Sequence, residues 1–569
     1  MNADVQTLAH DYWEWLLRAE PTYATYLADF RYNDRLPDVS VRGRHQQIAE
    51  LNALGTRVAQ LQAAVETGRV ILGDEEAITV LILRRALEDQ LGERIHHFEQ
   101  WALDQLMGPQ VWLQELINYH PLKSAKDFED LAVRYRSFTK YMDDYLENLR
   151  AGVAAGRTAP AVAAERVRGQ LRDLLAIAVA ESPLLPPSAD PEDAPPVPDR
   201  ARLREAVEAA IRESVYPAFE RFLTFLQADY PAREAVGLSS LPGGPEAYAF
   251  RVRRHTTTAL TPQEIHDLGM AMLRDVQGEM KAVARRLGHD GDLPVFLENI
   301  RKDPANCPTS REDLLNGYRE ILDEAQALLP KYFGRLPRVG CIVKPIEEYR
   351  ERDCVAAYYY SPPDDFSRPG TYYANTYQPE SRPRYQMTAL TLHEAVPGHH
   401  LQIALAMEQT ELPDFRRHSD FNAYIEGWAL YTERLGVEMG MYKNDLSYFG
   451  MLIFQAWRIC RLVVDTGMHA LGWTRDSAFS FFKENSGLTE PEIYNEIDRY
   501  IIWPGQALSY AVGMREILRL RDHAEKTLGA RFDLRAFHDE VLRHGALPLA
   551  TLEKVVSDFV ERRVAAHPV

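Results

Sequence analysis

A single stretch, Thr388–Gln402 (TALTLHEAVPGHHLQ), limits what this chain can be more than any other. At its centre His393 is followed directly by Glu394, and more histidines come soon after. Two imidazoles on one helix face beside a glutamate are the pattern by which zinc hydrolases hold their metal and place a base for the water. This copy is irregular. The regular second ligand would stand at Pro397, four residues after His393, whereas His399 and His400 stand six and seven after it. In an ideal helix a residue six on is rotated by about 240°, and one seven on lies about 10 Å along the axis. Neither shares an ion with His393 through bonds of about 2.0–2.1 Å unless the helix deforms. Pro397 deforms it in the right place, because its ring clashes with the His393 carbonyl and it donates no N–H. Gly398 tolerates the backbone that follows. A bulge absorbing two residues would bring His399 to the ligand position. The competing reading is a plain Pro-Gly helix break with incidental histidines.

Catalytic zinc usually takes three protein ligands and keeps one open position. Glu426, in the apolar helical run Phe421–Met439, is the best third ligand. A carboxylate in so apolar a stretch is expensive unless it is paired or bound to metal. Glu433, two turns later on the same face, is the fallback. The plainer reading of Glu426 is a buried ion pair with an arginine.

HEAVPGHHLQ, YIEGWALYTERLG and RYIIWPGQALSY (Arg499–Tyr510) resemble the bacterial "domain of unknown function 885" proteins. The resemblance extends upstream to Tyr248–Gly269 and faintly to Leu36–Asp38, and so covers nearly the whole chain. That family is regarded as metallopeptidase-like, akin to zincins with a Glu as third ligand. The resemblance implies His393, His399 and Glu426 as ligands and Glu394 as base. Some relatives carry Tyr at the position of His400, which favours His399. The substrate does not carry over.

The chain has 569 residues, 46% of them hydrophobic, enough for a large core or for two lobes. Its net charge of −18 makes nucleic acid and anionic membranes poor partners. Cys307, Cys341, Cys354 and Cys460 form no Cys-x-x-Cys pair and suit a reducing compartment. The N-terminus lacks the basic and apolar regions of a signal peptide, and no apolar run of about 18 residues predicts a membrane span. These readings together place the protein in the cytoplasm.

Apolar residues at three- and four-residue intervals predict helices over Leu8–Phe30, Val41–Thr67, Glu75–Glu99, Ala125–Ala154, Ala163–Val179 and Ala201–Tyr230. Thr261-Pro262-Gln263-Glu264 is a capping box that starts another. The organisation expected is an N-terminal helical region (1–182), a Pro-rich loop (183–199), a second helical region (200–335) and a catalytic region (336–569). Cys341–Pro345, Ala356–Ser361 and Thr371–Tyr377 read as short strands. Gly370–Thr376, with Asn375 contacting substrate, is the expected sheet edge for an extended peptide. Arg499–Gly513 reads as a loop around Pro504-Gly505.

Met451–Leu471 carries Arg458, Arg461, Asp465 and His469 on one narrow face, which predicts either a solvated face or a cleft wall. The fold expected is mainly α: large, helical, two-lobed and zincin-like, with a small β-sheet beside the active-site helix. The function expected is zinc-dependent hydrolysis of a peptide or small amide by a monomer or homodimer. Glu394 would be the base, and Tyr510 or His469 the oxyanion donor. A carboxypeptidase would also need an arginine fork, for which Arg458, Arg461, Arg499 and Arg515 are open. A zinc amidase for a small metabolite, or a scaffold with a dead site, are the rivals.

Overall fold

The computed structural model describes residues 2–189, 196–348, 351–352 and 355–565. Helices form where the apolar spacing places them, with few shifts. Ala125–Ala154 starts on a Ser124–Asp127 capping box, and Pro262–Arg286 starts on the expected Thr261–Glu264 box. Ala201–Tyr230 is less regular than expected: helices Arg200–Ala210 and Tyr216–Ala228 flank a π turn at Ile211–Val215. Pro217 explains the turn, since it cannot donate to the Glu213 carbonyl and its ring would strike it. Among the described residues no helix is long and apolar enough to cross a membrane. Cys307, Cys341 and Cys460 are buried and free, and Cys354 lies outside the described residues.

The chain forms two compact units, 1–72 with 83–246, and 73–82 with 247–569. The division therefore falls near residue 246, inside the stretch 200–335 that the sequence suggested was one region. The Pro-rich segment belongs to the first unit. Its Leu184 and Val197 are buried, and Tyr135 donates to the Leu184 carbonyl. Residues 190–195 of that segment lie outside the described residues. The core of the first unit is aromatic, with Phe138 and Phe219 edge to face at 5.0 Å.

The second unit contains the motif. Three strands, β1 (Cys341–Pro345), β2 (Ala357–Tyr360) and β3 (Gly370–Ala374), form a sheet in the order β1-β3-β2. β3 runs parallel to β1 and antiparallel to β2, with Tyr372 opposite both Val343 and Tyr359. The expectation that Gly370–Thr376 is an edge is therefore wrong. Its backbone is paired on both sides, and only β1 and β2 offer edges. Asn375 is fully buried; its side chain donates to the Glu351 and Val355 carbonyls and accepts from Tyr377 N–H. It holds a turn beside the sheet.

Close helix crossings rest on glycines. Pro262–Arg286 meets Asp445–His469 at Gly269, where a Cβ would lie 2.7 Å from Leu462 Cβ. Asp445–His469 meets the motif helix at Gly450, where a Cβ would lie 1.9 Å from the Tyr385 carbonyl oxygen. Asn422–Glu438 meets Ser509–Leu528 at Gly427 and Gly513, and a Cβ on Gly513 would lie 1.8 Å from the Ala423 carbonyl oxygen. Thus Gly513 is a packing residue. The loop expected over Arg499–Gly513 shrinks to the turn between helices Glu490–Ile502 and Ser509–Leu528, with Gly505 at φ 83°.

Gly513→Ala should force these two helices apart. Overpacking costs typically about 1–3 kcal/mol, and the expected readout is a lower melting temperature by calorimetry.

Candidate metal centre

The motif helix Arg384–Glu394 stops at Glu394, and a new helix, His399–Met407, starts at His399. The expected bulge within a continuous helix is therefore a full break. The residues named for it are still its cause. Pro397 cannot continue the helix. Gly398 lies so close to the preceding turn that a Cβ would stand 2.0 Å from the His393 carbonyl oxygen. The break frees carbonyls that must find donors. Leu392 O accepts from Thr432 Oγ1 at 3.1 Å, and Pro397 O accepts from Trp428 Nε1 at 2.9 Å. Both donors sit on Asn422–Glu438, the helix that carries Glu426.

Across the break the His393 and His399 rings meet with centroids 4.8 Å apart at 86°. Glu426 Oε2 lies 3.6 Å from His393 Nε2 and 3.4 Å from His399 Nε2, yet hydrogen-bonds to neither. Ligand atoms at bonds of about 2.0–2.1 Å and the tetrahedral angle are about 3.3–3.4 Å apart. These three residues could hold a metal ion, offering one atom each within 4.8 Å of the others. The plain helix break with incidental histidines does not describe this geometry.

Glu433 is not a member of the triplet. It is fully buried behind His393 and accepts from Nδ1 at 2.8 Å. That bond fixes the tautomer whose Nε2 lone pair faces Glu426, the usual role of a carboxylate behind a metal-bound imidazole. His400 points elsewhere: Nδ1 meets Tyr359 Oη at 3.0 Å and Nε2 meets the Val339 carbonyl at 3.1 Å. Burial pushes its pKa down to about 4.

The electrostatics follow from this packing. Burial alone would lower the pKa of His393, but the carboxylates of Glu426 and Glu433 outweigh it and raise it to about 9. Burial would raise that of Glu426, yet the imidazoles of His399 and His393 hold it well below the usual carboxylate range.

Other expected site residues divide clearly. Glu394 is buried at the end of the motif helix, and its charge adds to burial in raising the Tyr372 phenol of β3. Tyr510, brought in by the Gly427–Gly513 crossing, lies parallel to the His393 ring, at 6.4 Å and 12°. Burial and the Glu426 charge raise its pKa. The Arg461 guanidinium covers the Tyr510 ring at 4.3 Å, and donates to Tyr500 Oη at 2.9 Å and Glu496 Oε2 at 3.1 Å. Arg499 donates to Glu496 at 2.8 Å and Gln506 at 2.7 Å. Arg458 is buried against Phe454 and Trp457, at 4.6 and 4.1 Å. Arg515 is exposed.

His469 is buried, its ring tilted at 32° to that of Tyr248 with centroids 5.2 Å apart, and it donates Nε2–H to the Tyr500 carbonyl at 2.9 Å. Asp465 accepts from Tyr248 Oη at 2.6 Å and from Gly505 N–H, and burial raises its pKa to about 7. The polar stripe on this helix is therefore internal, not a solvated face. Sequence reasoning missed Glu496 and Trp457; the i, i+3 pair Glu496–Arg499 was the only signal for the former.

Residues 21–556 match the family described as "Bacterial protein of unknown function (DUF885)". The chain belongs to the DUF885 family. A protein from Colwellia psychrerythraea called a "putative lipoprotein" aligns with this DUF885 chain at a TM-score of 0.88 and 28% identity. That alignment covers 99% of this chain and 100% of that one. A second "putative lipoprotein of unknown function", from Shewanella oneidensis, aligns at 0.75 and 20% identity over 97% and 99% of the two chains. No curated protein matches.

Glu433→Ala should leave His393 free to turn, and if the triplet holds zinc, the affinity should fall about 10- to 100-fold in a chelator competition. The raised His393 pKa also sets a pH dependence. In the metal-free protein its stabilisation is complete below about 6.5 and is lost as the pH rises through about 9. A metal ion held by the triplet would have to displace that proton, so its apparent affinity would climb about tenfold per pH unit between these values.

Proposed function

We propose that this DUF885 protein is a zinc-dependent hydrolase of peptide or peptide-like amide bonds. The observation that carries the reading is Glu426 Oε2, buried between two imidazole nitrogens and hydrogen-bonded to neither. A buried carboxylate oxygen without a partner is costly, and a divalent cation would satisfy all three groups at once. Two imidazoles and one carboxylate with an open fourth position suit catalytic zinc, whereas structural zinc sites are closed by four ligands.

When bound, the zinc supplies a Lewis acid that polarises the scissile carbonyl and acidifies water. Glu394, next in the chain to His393, takes the proton from the attacking water and returns it to the leaving amine. Glu433 holds His393 in the tautomer that leaves Nε2 free. Tyr510, parallel to His393, donates its phenol O–H to the oxyanion. The cytoplasm, expected from cysteine usage, is part of this reading, and fractionation of the native cells tests it.

Protein purified without chelator should contain about one zinc per chain by elemental analysis. A protein that lacks zinc and rejects it when added overturns the proposal. Glu394→Gln should keep the zinc and lose at least about 10²–10⁴-fold in turnover on a dipeptide and tripeptide panel. His399→Ala should lose the zinc, and His400→Ala should keep it.

A further inference from the structure

Among the described residues Arg458 makes no ion pair within 4.0 Å, and the Glu433 carboxylate acts on it only from a greater distance. Arg458 is 5% exposed, and neither its Nε nor its Nη1 has a hydrogen-bond acceptor. Its neighbours intensify the problem. Arg461 stands one turn along the same helix, and both guanidiniums lie on the Trp457 ring, at 4.1 and 4.6 Å. Arg461 also has one orphaned nitrogen, Nη1, and the indole Nε1 of Trp457 is orphaned as well. Arg461 and Arg499 share Glu496. Three guanidiniums thus have one ion-paired carboxylate among them. Burying a cation without a partner costs several kcal/mol, and two like charges on one ring add to it.

This cluster adjoins the metal centre through continuous contacts. Arg461 covers Tyr510, Tyr510 lies parallel to His393, and Glu433 behind His393 is the charge that most offsets the burial of Arg458. The unsatisfied atoms of Arg458, Arg461 and Trp457 are all donors. Their complement is a ligand that carries a negative charge and only accepts hydrogen bonds. A carboxylate is such a group, and a guanidinium binds it in two parallel bonds.

We propose that Arg458, with Arg461 beside it, binds the free C-terminal carboxylate of a short peptide, which makes the hydrolase an exopeptidase that works from the C-terminus. This rests on the hydrolase reading above and adds the substrate class. The Phe454 and Trp457 rings pack against the guanidinium and exclude water from it, which limits the freedom it loses when a carboxylate binds. An amidated C-terminus presents a donor where the fork also donates, and would be rejected.

The test uses matched peptides with a free or an amidated C-terminus. Turnover is measured on the zinc-loaded enzyme, and binding is measured by calorimetry on the inactive Glu394→Gln protein. The wild-type preference for the free acid should be about 100-fold in kcat/KM, the size of effect expected when one partner of a buried charge pair is lost. In Arg458→Gln the ratio of acid to amide should collapse to within a few-fold, mainly through KM, and Arg458→Lys should recover part of it. Equal cleavage of acid and amide by the wild type overturns the proposal. So does an Arg458→Gln protein that loses both in proportion, or that loses zinc, because Arg458 would then act only as a counter-ion for Glu433. Acid-selective binding without any turnover leaves the clamp standing and overturns the hydrolase reading instead.

Discussion

The carbonyls of Leu392 and Pro397, freed where the motif helix breaks, are both satisfied by side chains of the helix Asn422–Glu438. The rest of the centre depends on this pairing. A helix end buried without donors is expensive, so the break could not be internal unless a second helix supplied them. Thr432 and Trp428 do so, and in doing so they fix the helix that carries Glu426 and Glu433 against the one that carries His393. The same helix is held from its other side by the glycine contact with Ser509–Leu528, which brings Tyr510 to His393. One backbone defect, stitched to one helix, thereby assembles groups from four segments.

Charge is distributed unevenly around that centre. Glu394, Glu426 and Glu433 are on the imidazole side, while Arg458, Arg461 and Arg499 lie on the other, where Glu496 pairs with Arg461 and Arg499. Buried ions rarely add stability, and a separated surplus of each sign is more costly than a paired arrangement. Under the proposals above, a cation would complete the carboxylate and imidazoles, and an anion the guanidiniums. Tyr510 sits between the two groups and feels both, since Glu426 raises its pKa while Arg461 and Arg499 oppose that.

Much of the centre was legible in the sequence. His393-Glu394 with Pro397-Gly398-His399 carried the metal pattern and the place where the helix must fail, because proline chemistry is local. Glu426 stood out because a carboxylate in an apolar helical run needs a partner wherever it ends up. The mainly helical class, the capping box at Thr261 and the three short strands were equally local matters of spacing and caps. The order of the strands was not. Which strand is central depends on partners remote in sequence, and so the aromatic run at Gly370 looked like an edge until β1 and β2 flanked it.

From the sequence alone it follows that the chain is helical, that its motif helix must deform at Pro397-Gly398, and which residue types are available for a metal; that the deformation is a full break emerged only from the fold. Only the tertiary structure decided those residues' roles. His399 faces Glu426 while its neighbour His400 faces Tyr359, a difference of one residue that the geometry of the turn sets. Glu433 stands behind an imidazole instead of beside it, and His469 bonds to the Tyr500 carbonyl even though it shares a helix face with Arg458. The physical reason is the same in each case. Periodicity says which face of a helix a side chain occupies, but what meets that face is fixed by helix crossings between residues far apart in the chain, here at Gly269, Gly450, Gly427 and Gly513.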